Sequence, residues 1–452
     1  MPFQAQTVPF QTPRSPSPQL TRRDWLKKSV AAAGLMALPY VVPARALGKD
    51  GKAAPSERIL LGGIGLGGRG QTVLREMLDQ PDVQFLAICD INRSRREAVK
   101  KLVDTKYGNA DCAMSRDLRG FLAERADIDA LLIATGDRWH ALASILAMRA
   151  GKDVYCEKPS SMTIAEGQLV VETARRHQRV YQTGTQGLSM PNRVFGIELA
   201  RSGRLGKLHT AYAQIAPWGD AMMRRDWLPA EPEPAPEELD WDAWLGPCPW
   251  RPYNSAYVRG EWRNHYDFHT SCIGEWGAHT IMQVQAGIDA RNTSAVEYEH
   301  VKDPTGDGLV AHYANGVKMI LSLKQECWVS FSGQRFDGSD AWIANSGGEH
   351  GQSRASSESL LNDTETILNE YTTRTGRPLN HVRDFFDCIK SRRQTVAYPE
   401  AMHRAMTTVH AANICMWLQR DLKYDPVKEE FVNDPEANQL RARAMRAPWT
   451  AS

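Results

Sequence analysis

Gly65-Leu66-Gly67-Gly68-Arg69-Gly70 follows an apolar run from Ile59 to Ile64 and opens a helix-compatible stretch from Gln71 to Leu78. Strand, glycine turn and helix in that order make a phosphate cradle. Gly65 permits the tight turn, Gly67 lets the backbone approach a pyrophosphate, and Gly70 lets the helix sit close on the strand with its amides facing the phosphates. Leu66 and Arg69 ride in the same loop. Asp90 stands twenty residues after Gly70 and ends a second apolar run from Val83 to Cys89, where a carboxylate can accept bonds from ribose hydroxyls. The alternative for Asp90 is a helix N-cap. A carboxylate there repels a ribose phosphate and favours NAD, whereas Arg93, Arg95 and Arg96, close behind, could neutralise that phosphate and admit NADP.

A second group lies far downstream. Gly274-Glu275-Trp276-Gly277-Ala278-His279 enters a helical pattern that continues through Ile281, Met282 and Val284. Glu275 and His279 are then i and i+4 on one face and can hold one hydroxyl between them. His265 and His269, just upstream, supply with them the ingredients of a metal site. Tyr266-Asp267-Phe268 does not continue a helix, so that spacing loses its geometric meaning and no metal is expected.

The elements that must position these residues are alternating strands and helices. Ile128 to Ala134 reads as a buried strand by its continuous apolar run and opens into Thr135-Gly136-Asp137-Arg138-Trp139-His140. Ligands bind at such carboxyl ends of parallel strands. A helix from Ala141 to Ala150 leads to the short strand Asp153-Val154-Tyr155-Cys156 and then to Glu157-Lys158-Pro159. Residues 58–182 thus predict an α/β Rossmann domain that binds NAD, with NADP as the alternative, and 183–452 a second domain. From Asn380 to Leu422 the pattern is helical and reads as ordinary core, while Ala447-Pro448-Trp449 reads as a tail that docks.

The chain has 452 residues, 42% of them hydrophobic, enough for two ordinary domains. Lys and Arg number 55 against 53 Asp and Glu, so there is no basic field of the kind a nucleic acid requires. The first 46 residues read as an address. Thr21-Arg22-Arg23-Asp24-Trp25-Leu26-Lys27-Lys28 precedes an uncharged run from Ser29 to Pro43 that ends at Ala44-Arg45-Ala46, the pattern of a twin-arginine signal peptide. The uncharged run is shorter than the ~20 residues of a bilayer span. Residues 47–57 form a polar linker. Periplasmic or secreted localisation through the twin-arginine export machinery is expected, and that route carries folded proteins. Eight cysteines are scattered without the close pairing of zinc sites or disulfide scaffolds, and most read as small buried hydrophobes.

Ala150-Gly151-Lys152-Asp153-Val154-Tyr155-Cys156-Glu157-Lys158-Pro159 resembles the Glu-Lys-Pro signature of the glucose-fructose oxidoreductase, inositol dehydrogenase and rhizopine-catabolism dehydrogenase family. The resemblance runs on through Gly184-Thr185-Gln186, Trp241-Asp242-Ala243-Trp244-Leu245-Gly246-Pro247 and Glu275 to His279. It implies a Rossmann domain followed by an α+β domain with a large open, mainly antiparallel sheet whose face covers the nicotinamide. It also implies that Lys158, His279 and the acid at 275 line the reaction site, and that Thr135, Asp137, His140, Glu157, Lys158 and Gln186 join the glycine loop around the cofactor. Lys158 ends a strand of the cofactor sheet and would project where the nicotinamide lies, as a base for a hydroxyl proton while a hydride leaves carbon. Burial beside a nicotinamide cation would favour the neutral amine that this needs. The sequence departs from the family pattern at Glu275, where Asp is usual.

Tyr257, Arg263, Asp267 and His279 are candidate contacts for a small carbohydrate. Seven of the thirteen tryptophans (218, 227, 241, 244, 250, 262 and 276) surround the Pro-rich loop Pro229 to Pro236, either to stack on sugar rings or to pack the loop. The leading expectation is oxidation of a sugar or polyol hydroxyl by NAD held tightly enough to survive export. A redox-neutral glycoside cleavage through a transient 3-keto sugar, known among relatives, uses the same residues. A non-catalytic binding protein is disfavoured while Lys158 and His279 both remain. A homo-oligomer is expected because an open sheet exposes a face.

Overall fold

Short apolar runs bounded by glycine and by capping residues give alternating strands and helices in the first half of the described chain. The computed structural model describes residues 54–215, 223–302, 308–322, 333–347 and 351–451. The export signal over 1–46, residues 47–53 of the linker, Trp218 and Cys327 lie outside the described residues. Strands β1 (Ile59–Ile64), β2 (Val83–Cys89), β3 (Ala113–Ser115), β4 (Ala130–Ile133), β5 (Asp153–Cys156) and β6 (Tyr181–Thr183) form one parallel sheet in the order β3-β2-β1-β4-β5-β6. The order reverses between β1 and β4, and the crevice at their carboxyl ends is the dinucleotide position of a Rossmann fold. Helices α1 (Gly68–Leu78), α2 (Arg93–Tyr107), α3 (Leu118–Glu124), α4 (Asp137–Arg149) and α5 (Ile164–Arg176) connect them. Asn92 and Asp117 cap α2 and α3 by accepting from backbone amides of the first turn, each such cap stabilising its helix by about 1 kcal/mol.

The second sheet is larger and mostly antiparallel. After α6 (Pro191–Arg201) and β7 (Leu208–Gln214) the chain makes the short helices α7 (Trp241–Leu245) and α8 (Ser255–Arg259) and the long helix α9 (Ser271–Gly287). It then lays down β8 (Glu297–Val301), β9 (Gly308–His312), β10 (Lys318–Ser322), β11 (Gln334–Gly338), β12 (Trp342–Asn345) and β13 (Ser353–Ala355). Helices α10 (Glu358–Leu361), α11 (Thr364–Thr375), α12 (His381–Ser391) and α13 (Pro399–Leu418) follow. Strands β14 (Leu422–Asp425) and β15 (Glu430–Phe431) and helix α14 (Pro435–Gln439) complete the described elements. The nine strands run β13-β12-β11-β7-β10-β9-β8-β14-β15, with β7 and β10 the parallel neighbours. One continuous core joins this sheet to α6, α9 and α13, through Phe195, Ile281, Val284, Phe336 and Met406 among others.

The helical pattern from Asn380 to Leu422 forms the two C-terminal helices α12 and α13, with a turn between Arg392 and Tyr398. One feature departs from a chain read in contiguous blocks. Val382, Phe385 and Phe386 of α12 pack into the core of the first sheet beside Val73, Leu74 and Tyr155, so the late helix belongs to the nucleotide domain by packing. The tail also docks there, as its proline and tryptophan suggest: Ala451 and Trp449 pack with Trp139 and Leu142. Cys89, Cys112, Cys156, Cys248, Cys388 and Cys415 are buried thiols. No helix of the described residues is long and apolar enough to cross a membrane.

Candidate active site

The glycine turn sits between β1 and α1 as the sequence places it. Gly65 adopts φ +68°, and a Cβ there would come within 2.3 Å of the Thr135 side chain, so glycine is required on both counts. A Cβ at Gly68 would meet nothing within 4 Å, leaving open space over the N-terminus of α1. Asp90 ends β2 almost wholly buried. Its Oδ1 accepts from the Asn92 amide at 2.9 Å, while Oδ2 has no partner among the described residues. Burial raises its pKa and the charge of Arg95 opposes that rise. An unpartnered carboxylate oxygen beside an open helix N-terminus fits the ribose and pyrophosphate of NAD, with Asp90 and the turn from Gly65 to Gly70 as the residues that would hold them.

At the carboxyl end of β5 the chain presents Glu157 and Lys158. The buried Glu157 carboxylate accepts from Arg69 Nε at 3.3 Å and from Gln186 Nε2 at 2.8 Å, and Gln186 also donates to Tyr155 Oη at 2.9 Å. Glu157 therefore ties the glycine loop to the turn after β6. Lys158 Nζ donates to the main-chain oxygen of Glu275 at 2.8 Å and to Glu275 Oε1 at 3.2 Å, across the interface between the two sheets. Burial alone would raise the Glu275 carboxyl, but Lys158 and His269 outweigh it and hold the group well below its ordinary value. Glu275 is thus anchored by the lysine, despite its extra methylene relative to Asp.

His279, one turn along α9, lies beside them. Burial first, then the charges of Lys158 and Arg69, push its pKa well below the usual range, so the imidazole is neutral. It makes no hydrogen bond among the described residues and keeps its nitrogens available for a ligand. Thr135 and Gly136 line a cavity with Asp90 and Gly65.

His269 is the residue that sequence reasoning did not place as a partner of the site's charged groups. Its Nε2 donates to Glu275 Oε2 at 3.0 Å and lies 3.8 Å from Asp137 Oδ2. Asp137, His269 and Glu275 bring ligand-type atoms within 4.8 Å of one another. Those atoms are already engaged, and the Lys158 ammonium beside Glu275 opposes a dication. The four-residue grouping with His265 does not form, because His265 packs edge-on against Tyr257 at 4.9 Å, inside an aromatic cluster.

Several expected contacts are structural instead. Asp137 Oδ2 accepts from the Thr270 amide at 3.2 Å and the Thr270 hydroxyl at 3.0 Å, joining the start of α4 to the start of α9 rather than reaching for a cofactor. His140 Nδ1 bonds the Pro159 carbonyl at 2.7 Å and steadies the turn after Lys158. The Leu66 side chain is fully buried, so only its backbone can face a phosphate. Tyr257 is 0% exposed and its oxygen accepts from the Leu228 amide at 2.8 Å, which removes it as a sugar contact. Asp267 pairs with Arg251 and is spent on that buried guanidinium. Arg263 is exposed, lies over the Trp262 ring and adds its charge to those that act on Glu275. Trp241 and Trp244 stack at 4.7 Å in the aromatic core, so packing accounts for them, whereas Trp227 and Trp250 are each 55% exposed.

Comparison with known proteins shows the family and the fold. A family model described as "Oxidoreductase family, NAD-binding Rossmann fold" matches residues 59–185, and one described as "Oxidoreductase family, C-terminal alpha/beta domain" matches 218–451. "Glycosyl hydrolase family 109 protein 1" of Bacteroides fragilis is 33% identical over 188 residues, which is 38% of this chain and 39% of that protein. The match thus spans about two fifths of the relative's length. Among solved structures, the aldose-aldose oxidoreductase of Caulobacter crescentus complexed with glycerol superposes with a TM-score of 0.57 at 13% identity, covering 81% of this chain and 99% of that one. The WlbA dehydrogenase of Chromobacterium violaceum, in complex with NADH and UDP-GlcNAcA, gives 0.57 at 13% identity and covers 83% and 98%. At such identities these two share the fold.

Proposed function

Given that the chain belongs to the Gfo/Idh/MocA oxidoreductase family, we propose that it oxidises a hydroxyl of a sugar or polyol with tightly held, recycled NAD. The carrying observation is the Lys158–Glu275 pair at the carboxyl end of β5 with neutral His279 on the same face of α9. Bound NAD would supply the hydride acceptor. Lys158 Nζ, fixed by the carboxylate and main-chain oxygen of Glu275, is placed to donate to the substrate oxygen and to favour its developing negative charge. His279 is placed to accept the hydroxyl proton at a ring nitrogen. This shifts the role of base from Lys158, where the sequence alone puts it, to the imidazole, because the lysine already holds Glu275. His269 keeps the second Glu275 oxygen occupied and so orients the first toward Lys158.

A second reading is favoured by the likeness to the family 109 glycosyl hydrolase: the same step, followed by elimination, hydration and hydride return, would cleave a glycoside without net oxidation. Aryl glycosides separate the two. Repeated aryl release with no added cofactor supports the glycosidase, and a ketosugar that accumulates to one equivalent or to the limit of an added acceptor supports the oxidoreductase. In single turnover with an active sugar, Lys158→Ala and His279→Ala are each expected to slow nicotinamide reduction by ~10² to 10⁴ with NAD still bound. Wild-type rates in both would overturn this site. Delivery to the periplasm in folded form, with cofactor aboard, belongs to the same reading. Replacing Arg22 and Arg23 by lysine is expected to strand a folded precursor in the cytoplasm, and unchanged delivery would contradict the route.

A further inference from the structure

The adenosine end of the crevice is closed by parts of the chain remote in sequence from the Rossmann domain. A cavity of about 260 Å³ begins at Gly65 and Asp90 and is lined further out by Trp139, Ala243, Trp244 and Trp449. That volume is below the roughly 300–1,000 Å³ of a whole-ligand pocket, so it suits one end of a dinucleotide. The outer wall is built from the segment leading into α7 and from the tail. Trp449 meets Trp139 edge-to-face at 5.3 Å, donates from its indole nitrogen to Asp242 Oδ2 at 3.0 Å and lies under the Arg119 guanidinium. Arg119 donates to the Pro448 carbonyl at 2.6 Å, and Arg446 pairs with Asp242 at 2.5 Å. On the other side, Arg93 pairs with Glu238 at 2.8 Å and Arg96 donates to the Glu237 carbonyl at 3.1 Å, so the chain before α7 is tied to α2, just beyond Asp90.

We propose that Trp449 and the Asp242 anchor that holds it complete an adenine-binding pocket and act as a latch that keeps the dinucleotide on the protein. The chemistry supports this: Trp139 and Trp449 line the cavity where a planar base would lie and Asp90 offers a carboxylate to its ribose, while the faces of Trp244 are taken by Arg138 and Trp241; opening the wall requires the Trp449–Asp242 and Arg446–Asp242 contacts to part. The latch rests on the NAD reading above. It would give the retention that the NAD reading requires a second hold on the dinucleotide, at its adenine end and away from the glycine loop.

The test is nucleotide retention in the full chain, read by absorbance of nucleotide released on denaturation after repeated desalting and by the rate at which labelled NAD exchanges out. Trp449→Ala is expected to speed exchange roughly 5- to 100-fold, the scale of one lost base-aromatic contact. Asp242→Asn, which keeps the shape of the anchor and removes its charge, is expected to act in the same direction more weakly. Thermal melting of the variants with saturating NAD checks that the fold is kept. Wild-type exchange rates in both folded variants would overturn the latch alone. Wild-type protein that neither carries NAD nor binds it would overturn the NAD reading and the latch with it.

Discussion

Lys158 and Glu275 meet twice, at 2.8 Å through the glutamate's main-chain oxygen and at 3.2 Å through its carboxylate, so one ammonium is held to both the backbone and the side chain of α9. This contact joins the turn after β5 to the second domain and fixes the lysine without help from a ligand.

Removing the charge at 275 tests that relationship. Glu275→Gln is expected to lower the rate of nicotinamide reduction by about 10² or more, because Lys158 loses its charged anchor and His269 its acceptor. Glu275→Asp, too short to span Lys158 and His269 together, should fall between the two. Single-turnover absorbance at the reduced-nicotinamide band decides it, and a Gln variant as fast as wild type would remove Glu275 from the mechanism.

Asp90 is expected to set cofactor choice. Two of the nearby arginines are committed elsewhere, Arg96 to the Asp90 carbonyl at 2.6 Å and Arg93 to Glu97 and Glu238, leaving Arg95 beside the carboxylate. Asp90→Ala should weaken NAD by roughly 10- to 100-fold, the worth of a hydrogen bond to a charged group, and NADP by less. Calorimetry on nucleotide-free protein gives both affinities. Equal losses would mean that the arginines govern the site.

Acid should destabilise the fold through buried histidines. Burial lowers the pKa of His140, His381 and His410, the last to about 3, whereas each titrates near ~6.5 in the unfolded chain. The unfolded state then binds more protons below pH ~6.5, so stability is full above that value and is lost as pH falls, by up to ~1.4 kcal/mol per pH unit for each histidine. Melting temperature measured from pH 7.5 to 5 should drop steadily. His410→Gln should flatten that slope, and a pH-independent melt would contradict neutral burial.

Metal is expected to play no part at the Asp137, His269 and Glu275 group. Asp137 Oδ2 already accepts two bonds from Thr270, and Glu275 is neutralised by Lys158. Dialysis against a chelator should leave nicotinamide reduction unchanged. A loss restored by a divalent ion would make these three residues its ligands.

Much of this was legible in the residues because it depends on local rules. The glycine turn, Asp90 at the end of β2, and Glu275 with His279 one helical turn apart follow from spacing along single elements, which neighbouring chain cannot easily change. Asn92 and Asp117 are helix caps, and Pro399 in the first turn of α13 marks the start of the second C-terminal helix. Side-chain fates that depend on distant partners were not readable. Tyr257 and Asp267 look like surface contacts until Leu228 and Arg251 are packed against them. Asp137 looks like a cofactor ligand until Thr270 arrives from α9. His269 gains its place only when α9 and β5 come together around Glu275, and Trp449 reaches the adenosine cavity only when the tail docks. Periodicity and turn chemistry, which are properties of contiguous chain, were enough for the Rossmann sheet, its dinucleotide crevice and the residues at its strand ends, whereas the second, mainly antiparallel sheet was legible only through the family resemblance. Only the tertiary structure decided which polar groups remain available to a ligand, because hydrogen bonds and ion pairs across long sequence separations consume the others.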